Sequence, residues 1–255
     1  MAKGALLRAA KIMPKPLILA YHSIDHSGSV ISETPESFAL QMNHLAASGR
    51  RVVPLTEIVQ TPGAVALTFD DAYRNFSTHA LPILQQFRFP CTLFVVPRRC
   101  GLDNQWPGQA PQIPAMPLMS WEEIKEAARL GITVGSHTMD HPDLTRLCPA
   151  AAAAQMGEAK DRIEQNLGTR STEFAYPYGA VNRQVRDIAA GSFSLACSTR
   201  LAAIGPATDL LQLPRVDAYY LRHPAIFRLV LEGKPSNSYL TLRRTLREWK
   251  GRLQQ

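Results

Sequence analysis

The chain has 255 residues, of which 45% are hydrophobic, and a formal net charge of +7. Its length suits one globular α/β domain with a substantial core, and no stretch approaches the ~20 apolar residues of a membrane span. The four cysteines are widely spaced without a Cys-x-x-Cys pair, which argues against a cysteine zinc cluster or a disulfide framework.

The chain begins with a basic segment, residues 1–15, whose short apolar patch is interrupted by Arg8. No small-residue cleavage site follows the patch, so the segment does not resemble a secretory signal. For a complete chain we therefore expect a cytoplasmic protein.

Short apolar runs then alternate with helical patterns. The runs are nearly continuous, as in strands covered on both faces, and predict strands at Leu17–Tyr21, Val65–Phe69, Cys91–Val96, Ile132–Gly135, Glu173–Tyr176, Leu195–Ser198 and Leu211–Leu213. Three helices have recognisable starts, at Thr34-Pro35, at the Ser120 capping box and at Pro149. The second should stop at Gly131 and the third at Leu167. This repetition predicts a parallel α/β barrel with its site at the carboxyl ends of the strands.

A long loop, residues 101–117, interrupts this alternation and contains four prolines and Trp106. A segment of this length without secondary structure is usually functional or disordered. The Trp106 ring would suit the apolar face of a sugar, or it would pin the loop to the barrel. Both interpretations remain open.

Basic residues dominate the chain from Arg222 onward. Apolar residues recur at helical spacing within Tyr239–Leu253, which predicts an amphipathic helix. This helix either contacts an anionic membrane surface or packs on the barrel, and the sequence leaves both open. No binding motif accompanies the charge, so we expect no nucleic-acid partner. The predicted organisation is a basic segment over 1–15, a barrel over 16–221 and a helical extension of the same domain over 222–255.

Two pairs of residues carry the chemistry of a metal site. Asp70 and Asp71 directly follow the run Val65–Phe69, and His137 and His141 lie just beyond a later run. Either pair alone is common on protein surfaces, but both follow predicted strands, where α/β proteins collect catalytic residues. One carboxylate and two imidazoles form an open catalytic metal site. The remaining aspartate would take a proton from water, which predicts metal-assisted hydrolysis.

These pairs belong to four longer motifs, which read Thr68-Phe69-Asp70-Asp71, Ser136-His137 through His141-Pro142, Phe174-Ala175-Tyr176-Pro177-Tyr178-Gly179 and Leu213-Pro214-Arg215-Val216. Together they resemble the polysaccharide deacetylase family, the carbohydrate esterases built on the NodB homology domain. Tyr21-His22-Ser23-Ile24 is similar to a motif of the branch that de-N-acetylates poly-N-acetylglucosamine. The resemblance runs from about Pro16 to about Asp217 and implies a distorted seven-stranded (β/α)7 barrel.

The resemblance also implies a role for each motif. Asp71, His137 and His141 would hold a divalent metal, usually zinc, with cobalt, nickel, iron or manganese as alternatives. Asp70 would be the general base, because a carboxylate bound to the metal loses basicity, whereas its neighbour feels the charge of the cation less directly. The backbone N–H of Tyr178, in the motif that contains Pro177, would stabilise the oxyanion together with the metal.

Two departures from the family pattern concern the base and the acid. Many members tether the base with an arginine where this chain has Ala175, and we expect Arg215 to take over that tether. A late Leu-x-His motif often supplies the acid, but Leu221-Arg222-His223 lies in a segment without a strand pattern. By resemblance, His22 is the candidate acid, with a packed histidine at a strand end as the alternative.

The sequence thus predicts a hydrolase that removes the N-acetyl group from an amino sugar, in a lipid-linked or nucleotide-linked precursor of a surface glycan. The alternatives within enzymes are a chito-oligosaccharide deacetylase and a sugar deformylase. A carbohydrate-binding protein on the same fold is the alternative outside enzymes.

Overall fold

The computed structural model describes residues 14–233 and 239–245. Seven parallel strands form the main sheet in the order β8-β7-β6-β5-β4-β1-β9. Their bounds are β1 Leu17–Tyr21, β4 Val65–Phe69, β5 Cys91–Val95, β6 Thr133–Ser136, β7 Glu173–Ala175, β8 Leu195–Cys197 and β9 Val216–Asp217. Two short parallel strands, β2 (Ser23–Ile24) and β3 (Ser32–Glu33), pair with each other outside this sheet.

The two edges of the main sheet meet through one segment. Leu213 forms a bridge with Cys197 of β8, and three residues later Val216 pairs with Leu19 of β1. The sheet therefore curls into a distorted seven-stranded barrel, which confirms the predicted fold. The predicted strand Leu211–Leu213 is wrong, because only Leu213 pairs and Pro214 has no N–H to extend a ladder.

Helices cover the outside of the sheet. They are α1 Pro35–Ala47, α2 Leu81–Phe87, α3 Trp121–Arg129, α4 Pro149–Leu167, α5 Arg183–Ala190 and α6 Pro224–Glu232, and residues 239–245 are also helical. The predicted starts of α1, α3 and α4 are confirmed. Thr34 accepts the Ser37 N–H at 3.1 Å, and Ser120 and Glu123 form both bonds of a capping box. No helix among the described residues is long and apolar enough to cross a bilayer.

Both faces of the sheet are buried, as its continuous apolar runs predict. In β1, Leu17, Leu19 and Tyr21 pack toward the helices, whereas Ile18 packs inside the barrel. Tyr21 stacks on Phe69 at 5.2 Å between ring centroids. Because these two aromatics end their strands, they fix the backbone from which His22 and the aspartate pair project.

The two terminal predictions reach beyond the described part of the chain. Residues 1–13, most of the predicted basic segment, lie outside it, as do 234–238 and 246–255 of the predicted extension. Within residues 239–245, Leu240 is buried in the main core cluster while Leu242 is exposed. The contact of Leu240 favours packing on the barrel for this part of the helix.

Candidate metal centre and active site

Three side chains from two strand ends converge on one point. Asp71 follows β4, and His137 and His141 follow β6. The Asp71 Oδ1 atom lies 3.5 Å from the Nε2 atoms of both histidines. Among the described residues this is the one group of three or more His, Cys, Asp or Glu side chains with metal-ligand spacing, and all three are buried.

The backbone at this point is held in an uncommon conformation. Positive φ angles occur at Asp71 (69°), Ala72 (56°), Thr138 (66°) and His141 (63°). Each left-handed non-glycine residue costs about 1 kcal/mol, and such strain concentrates at functional sites. The Thr138 hydroxyl accepts the His141 N–H at 3.0 Å, which holds the turn that brings the second imidazole back toward the first.

The donor atoms fit a divalent cation. Asp71 Oδ1 is buried and has no hydrogen-bond partner among the described residues, although it faces two imidazole nitrogens. His137 Nδ1 lies 2.7 Å from the Ala175 carbonyl oxygen, so it carries the proton and leaves the Nε2 lone pair for a metal. Burial holds the pKa of His141 well below its usual value, so this imidazole is neutral. Two neutral imidazoles and a carboxylate suit zinc and its neighbours in the first transition row.

Asp70, the predicted base, is bound by a buried arginine. Arg215 Nη1 and Nη2 donate to Asp70 Oδ1 and Oδ2 at 2.6 and 2.7 Å. Burial alone would raise the pKa of Asp70, but the charge and hydrogen bonds of Arg215 outweigh it and hold that pKa well below its usual value. The structure thus places Arg215 where the sequence predicted a tether.

Arg215 is itself fixed by groups that the sequence analysis missed. Its Nε donates to the Ser198 carbonyl at 3.1 Å, and its Nη1 also donates to the Thr68 hydroxyl at 3.2 Å. Thr68 in turn donates to the Leu19 carbonyl at 3.1 Å. A hydroxyl in an apolar strand was the only sequence signal for this link, and its partner lies 147 residues away in the chain.

A second missed network lies beside the metal ligand Asp71. The buried Tyr73 hydroxyl accepts from Asn104 Nδ2 at 3.1 Å. Burial, and then the nearby charge of Asp71, raise the pKa of this hydroxyl. Asn104 Oδ1 accepts the Met116 N–H at 2.8 Å. The proline-rich loop is therefore ordered around one buried asparagine, which also binds the tyrosine two residues after Asp71.

The prediction that Trp106 stacks on a sugar is wrong, because Trp106 is only 4% exposed. The alternative, that it pins the loop, is favoured, since it packs against Tyr73 and Leu118. Its ring lies 4.2 Å from the His141 ring, between centroids, and so packs on a predicted ligand instead of offering an open face. The exposed aromatic at this point is Tyr178, which is 43% exposed and lies 4.7 Å from the same imidazole.

The third motif forms a tight turn at the end of β7. Pro177 is buried, Tyr178 has a φ of 59°, and Gly179 has a φ of 69°. A Cβ on Gly179 would approach the Thr199 side chain to 2.1 Å, so a larger residue would displace this turn. The turn brings the Tyr178 ring beside the ligand His141.

His22 lies at the end of β1, next to the base. Its Nε2 is 3.7 Å from Asp70 Oδ2, and its side chain is 19% exposed. Apo distances between catalytic groups are often longer than a hydrogen bond and shorten with substrate. His223, the other acid considered, is exposed and accepts the Ala225 N–H at the start of α6. That cap gives His223 a structural role.

The sequence model of the polysaccharide deacetylase family matches residues 58–191, more than half of the chain. The chain belongs to the polysaccharide deacetylase family. It is 27% identical to Bacillus subtilis YxkH over 175 residues, which cover 66% of this chain and 58% of that protein. The chain therefore spans less than two thirds of this relative.

One further relative is a poly-N-acetylglucosamine deacetylase, from the branch that the His22 motif resembles, and one solved structure is similar in fold. The poly-beta-1,6-N-acetyl-D-glucosamine N-deacetylase of Staphylococcus epidermidis is 21% identical over 202 residues, covering 72% of this chain and 67% of that enzyme. The solved structure of IcaB from Ammonifex degensii superposes with a TM-score of 0.72 at 26% identity, covering 87% of this chain and 97% of that one. The family and the barrel fold predicted from the motifs are thereby confirmed.

Proposed function

We propose that this chain is a metal-dependent hydrolase that removes the N-acetyl group from an N-acetylated amino sugar of a glycan or lipid-linked glycan precursor. One observation carries the proposal: a buried, arginine-bound carboxylate lies directly beside a cluster of one carboxylate and two imidazoles. The relatives named above, which include a glycan N-deacetylase, support the substrate class.

Asp71, His137 and His141 would hold the metal, and zinc suits their donor set best. When bound, a divalent ion supplies Lewis acidity, which makes water more acidic and polarises the amide carbonyl. The Ala175 carbonyl, which accepts from His137 Nδ1, keeps that imidazole oriented toward the metal position.

Asp70 is the base in this proposal. Arg215 keeps it ionised at neutral pH and fixes the direction of both oxygens, so the carboxylate accepts a proton from the attacking water without reorienting. The N–H at Tyr178 would then donate to the developing oxyanion.

His22 completes the reaction as the acid. Cleavage of the C–N bond requires a proton on the departing nitrogen, because an amine anion is a very poor leaving group. His22 lies beside Asp70 and retains partial access to solvent, so it can approach both the base and a sugar amine.

Product analysis tests the proposal. The metal-loaded protein would be incubated with N-acetylated oligosaccharides and glycolipid precursors, and free acetate and new amines would be quantified. Acetate release from a precursor supports the proposal. Release only from soluble chito-oligosaccharides, or of formate from a formylated sugar, would favour the alternative enzymes. Sugar binding without turnover would favour a binding protein.

The cytoplasmic location and the membrane contact stay predictions. For the contact, sedimentation of the full chain with anionic vesicles, compared with neutral vesicles, is the direct test.

A further inference from the structure

A groove of about 520 Å³ opens beside the candidate active site. Its walls come from the turn after β7 and from the segment that follows β8, and Gly179, Ser198 and Arg200 contribute to it. Gly179 directly follows Tyr178, whose ring touches His141 at the metal centre. The Ser198 carbonyl accepts from Arg215, so the same backbone supports both the base and the groove. The groove therefore continues the surface on which a substrate would lie.

Among the described residues, two arginines and one carboxylate line this groove. They are Arg200, Arg244 and Asp209. Both Asp209 oxygens accept from Arg186, at 2.9 and 3.2 Å. The Arg186 hydrogen bonds hold the pKa of Asp209 below its usual value, so it is ionised and already paired. The described carboxylate of the groove is therefore bound to Arg186 and not to Arg200.

Arg200 provides the sharpest observation. Its side chain is exposed, and within residues 14–233 and 239–245 its guanidinium has no hydrogen-bond or ion-pair partner. The Gln212 amide lines the same groove and adds a neutral donor. A guanidinium accompanied by a neutral donor is a common recognition set for phosphate and carboxylate.

We propose that this groove binds an anionic group, a phosphate or a carboxylate, that the glycan substrate carries near its N-acetylated sugar. The inference rests on the proposed function, because the anionic group belongs to the same substrate and would lie beyond Tyr178. A neutral glycan would leave Arg200 solvated, whereas an anionic substrate gains a charge-assisted contact there. The groove thus selects charged precursors over neutral polymers.

Calorimetric titration tests this with three probes: N-acetylglucosamine 1-phosphate, N-acetylmuramic acid and neutral methyl N-acetylglucosaminide. We expect the wild-type protein to bind at least one anionic probe about tenfold more tightly than the neutral one, the size of one charge-assisted contact. Arg200→Gln should abolish this preference and leave the affinity for the neutral probe unchanged. The affinities of the two anionic probes are then compared. Tighter binding of N-acetylglucosamine 1-phosphate indicates a phosphate on the substrate, and tighter binding of N-acetylmuramic acid indicates a carboxylate.

Two controls make the test specific. Arg183→Gln removes the same charge from a side chain that is 96% exposed and not in the groove, and it should retain the preference. Chelator-treated wild-type protein should retain it too, because the anion binds the groove and not the metal. Equal binding of all three probes, equal loss in the two arginine variants, or loss of the preference on chelation would each overturn the proposal.

The outcome is separable from that of the proposed function. Binding is measured without turnover, so an Arg200-dependent preference in a protein that releases no acetate would retain the groove and reject the deacetylase. Acetate release with no preference for a charged probe would retain the deacetylase and reject the groove as an anion site.

Discussion

Replacing Arg215 tests how the base is held. The pair between Arg215 and Asp70 is bidentate, and its side chains are 1% and 3% exposed. Removing one partner of a buried pair leaves an uncompensated charge and costs about 3–5 kcal/mol. We therefore expect Arg215→Met to lose about that much of the free energy of unfolding, a large part of the about 5–15 kcal/mol available to a domain.

The double variant with Asp70→Asn should recover part of this loss, because it leaves no buried charge. A double-mutant cycle should give a coupling energy of about 2–3 kcal/mol. Urea unfolding of chelator-treated proteins at pH 7 measures all four corners, since chelation removes the separate effect of a metal on Asp70.

The contribution of Asp70 to the free energy of unfolding should depend on pH with opposite signs in the wild type and in Arg215→Met. In the wild type the folded pKa of Asp70 lies below its unfolded value of about 3.9, so its stabilisation is present above about pH 4 and is lost as the pH falls further. Without Arg215, burial should raise the folded pKa above the unfolded one. Arg215→Met, compared with the double variant, should then gain stability as the pH falls from 7 to about 5.

Two results would refute this reasoning. One is a coupling energy near zero, which would mean that the pair is not formed in solution. The other is a constant difference between Arg215→Met and the double variant from pH 7 to pH 5, which would mean that Asp70 is not desolvated.

Three further predictions address the ligands, their support and the acid. Asp70→Asn should retain metal and lose most turnover, whereas Asp71→Asn should lose both, and equal metal loss by elemental analysis would show that the two roles are wrongly assigned. Tyr73→Phe should weaken metal affinity about 10–100-fold in a competition titration with a chelator, because we expect the Tyr73 hydroxyl near Asp71 to support that carboxylate when it holds the metal. Tyr176→Phe, which removes a buried hydroxyl bound to the Leu211 carbonyl, is the matched control, and equal affinities of the two variants would exclude this support. His22→Ala should lower kcat on the amide far more than on an activated ester, whose leaving group needs no proton, and equal losses would make His22 a positioning residue.

The motif residues were predictable because of how parallel strands end. Asp70, Asp71, His137 and Tyr178 each follow an apolar run, and parallel strands bring their carboxyl ends to one edge of the sheet. The apolar runs therefore placed the aspartate and histidine pairs at one edge of the sheet, and the resemblance to the family added Tyr178. Six of the seven predicted strands were placed to within a residue or two, since buried parallel strands have a strong apolar signature.

Other features depend on contacts that the sequence does not display. Neither Tyr73 nor Asn104 belongs to a motif, and their hydrogen bond links positions 31 residues apart. Trp106 was assigned as a candidate stacking residue from its chemistry, but only the folded loop shows that its ring is covered by His141. The short strand β9 escaped detection because two residues carry no periodic pattern.

Metal-dependent acetate release tests the central claim most directly. Chelator-treated wild-type protein should release no acetate from an N-acetylated amino-sugar substrate, and about one equivalent of zinc per chain should restore the activity. His137→Ala should fail to recover at the same zinc concentration while remaining folded. Acetate release that survives chelation, or that zinc restores equally in His137→Ala, would contradict the assignment of the metal centre.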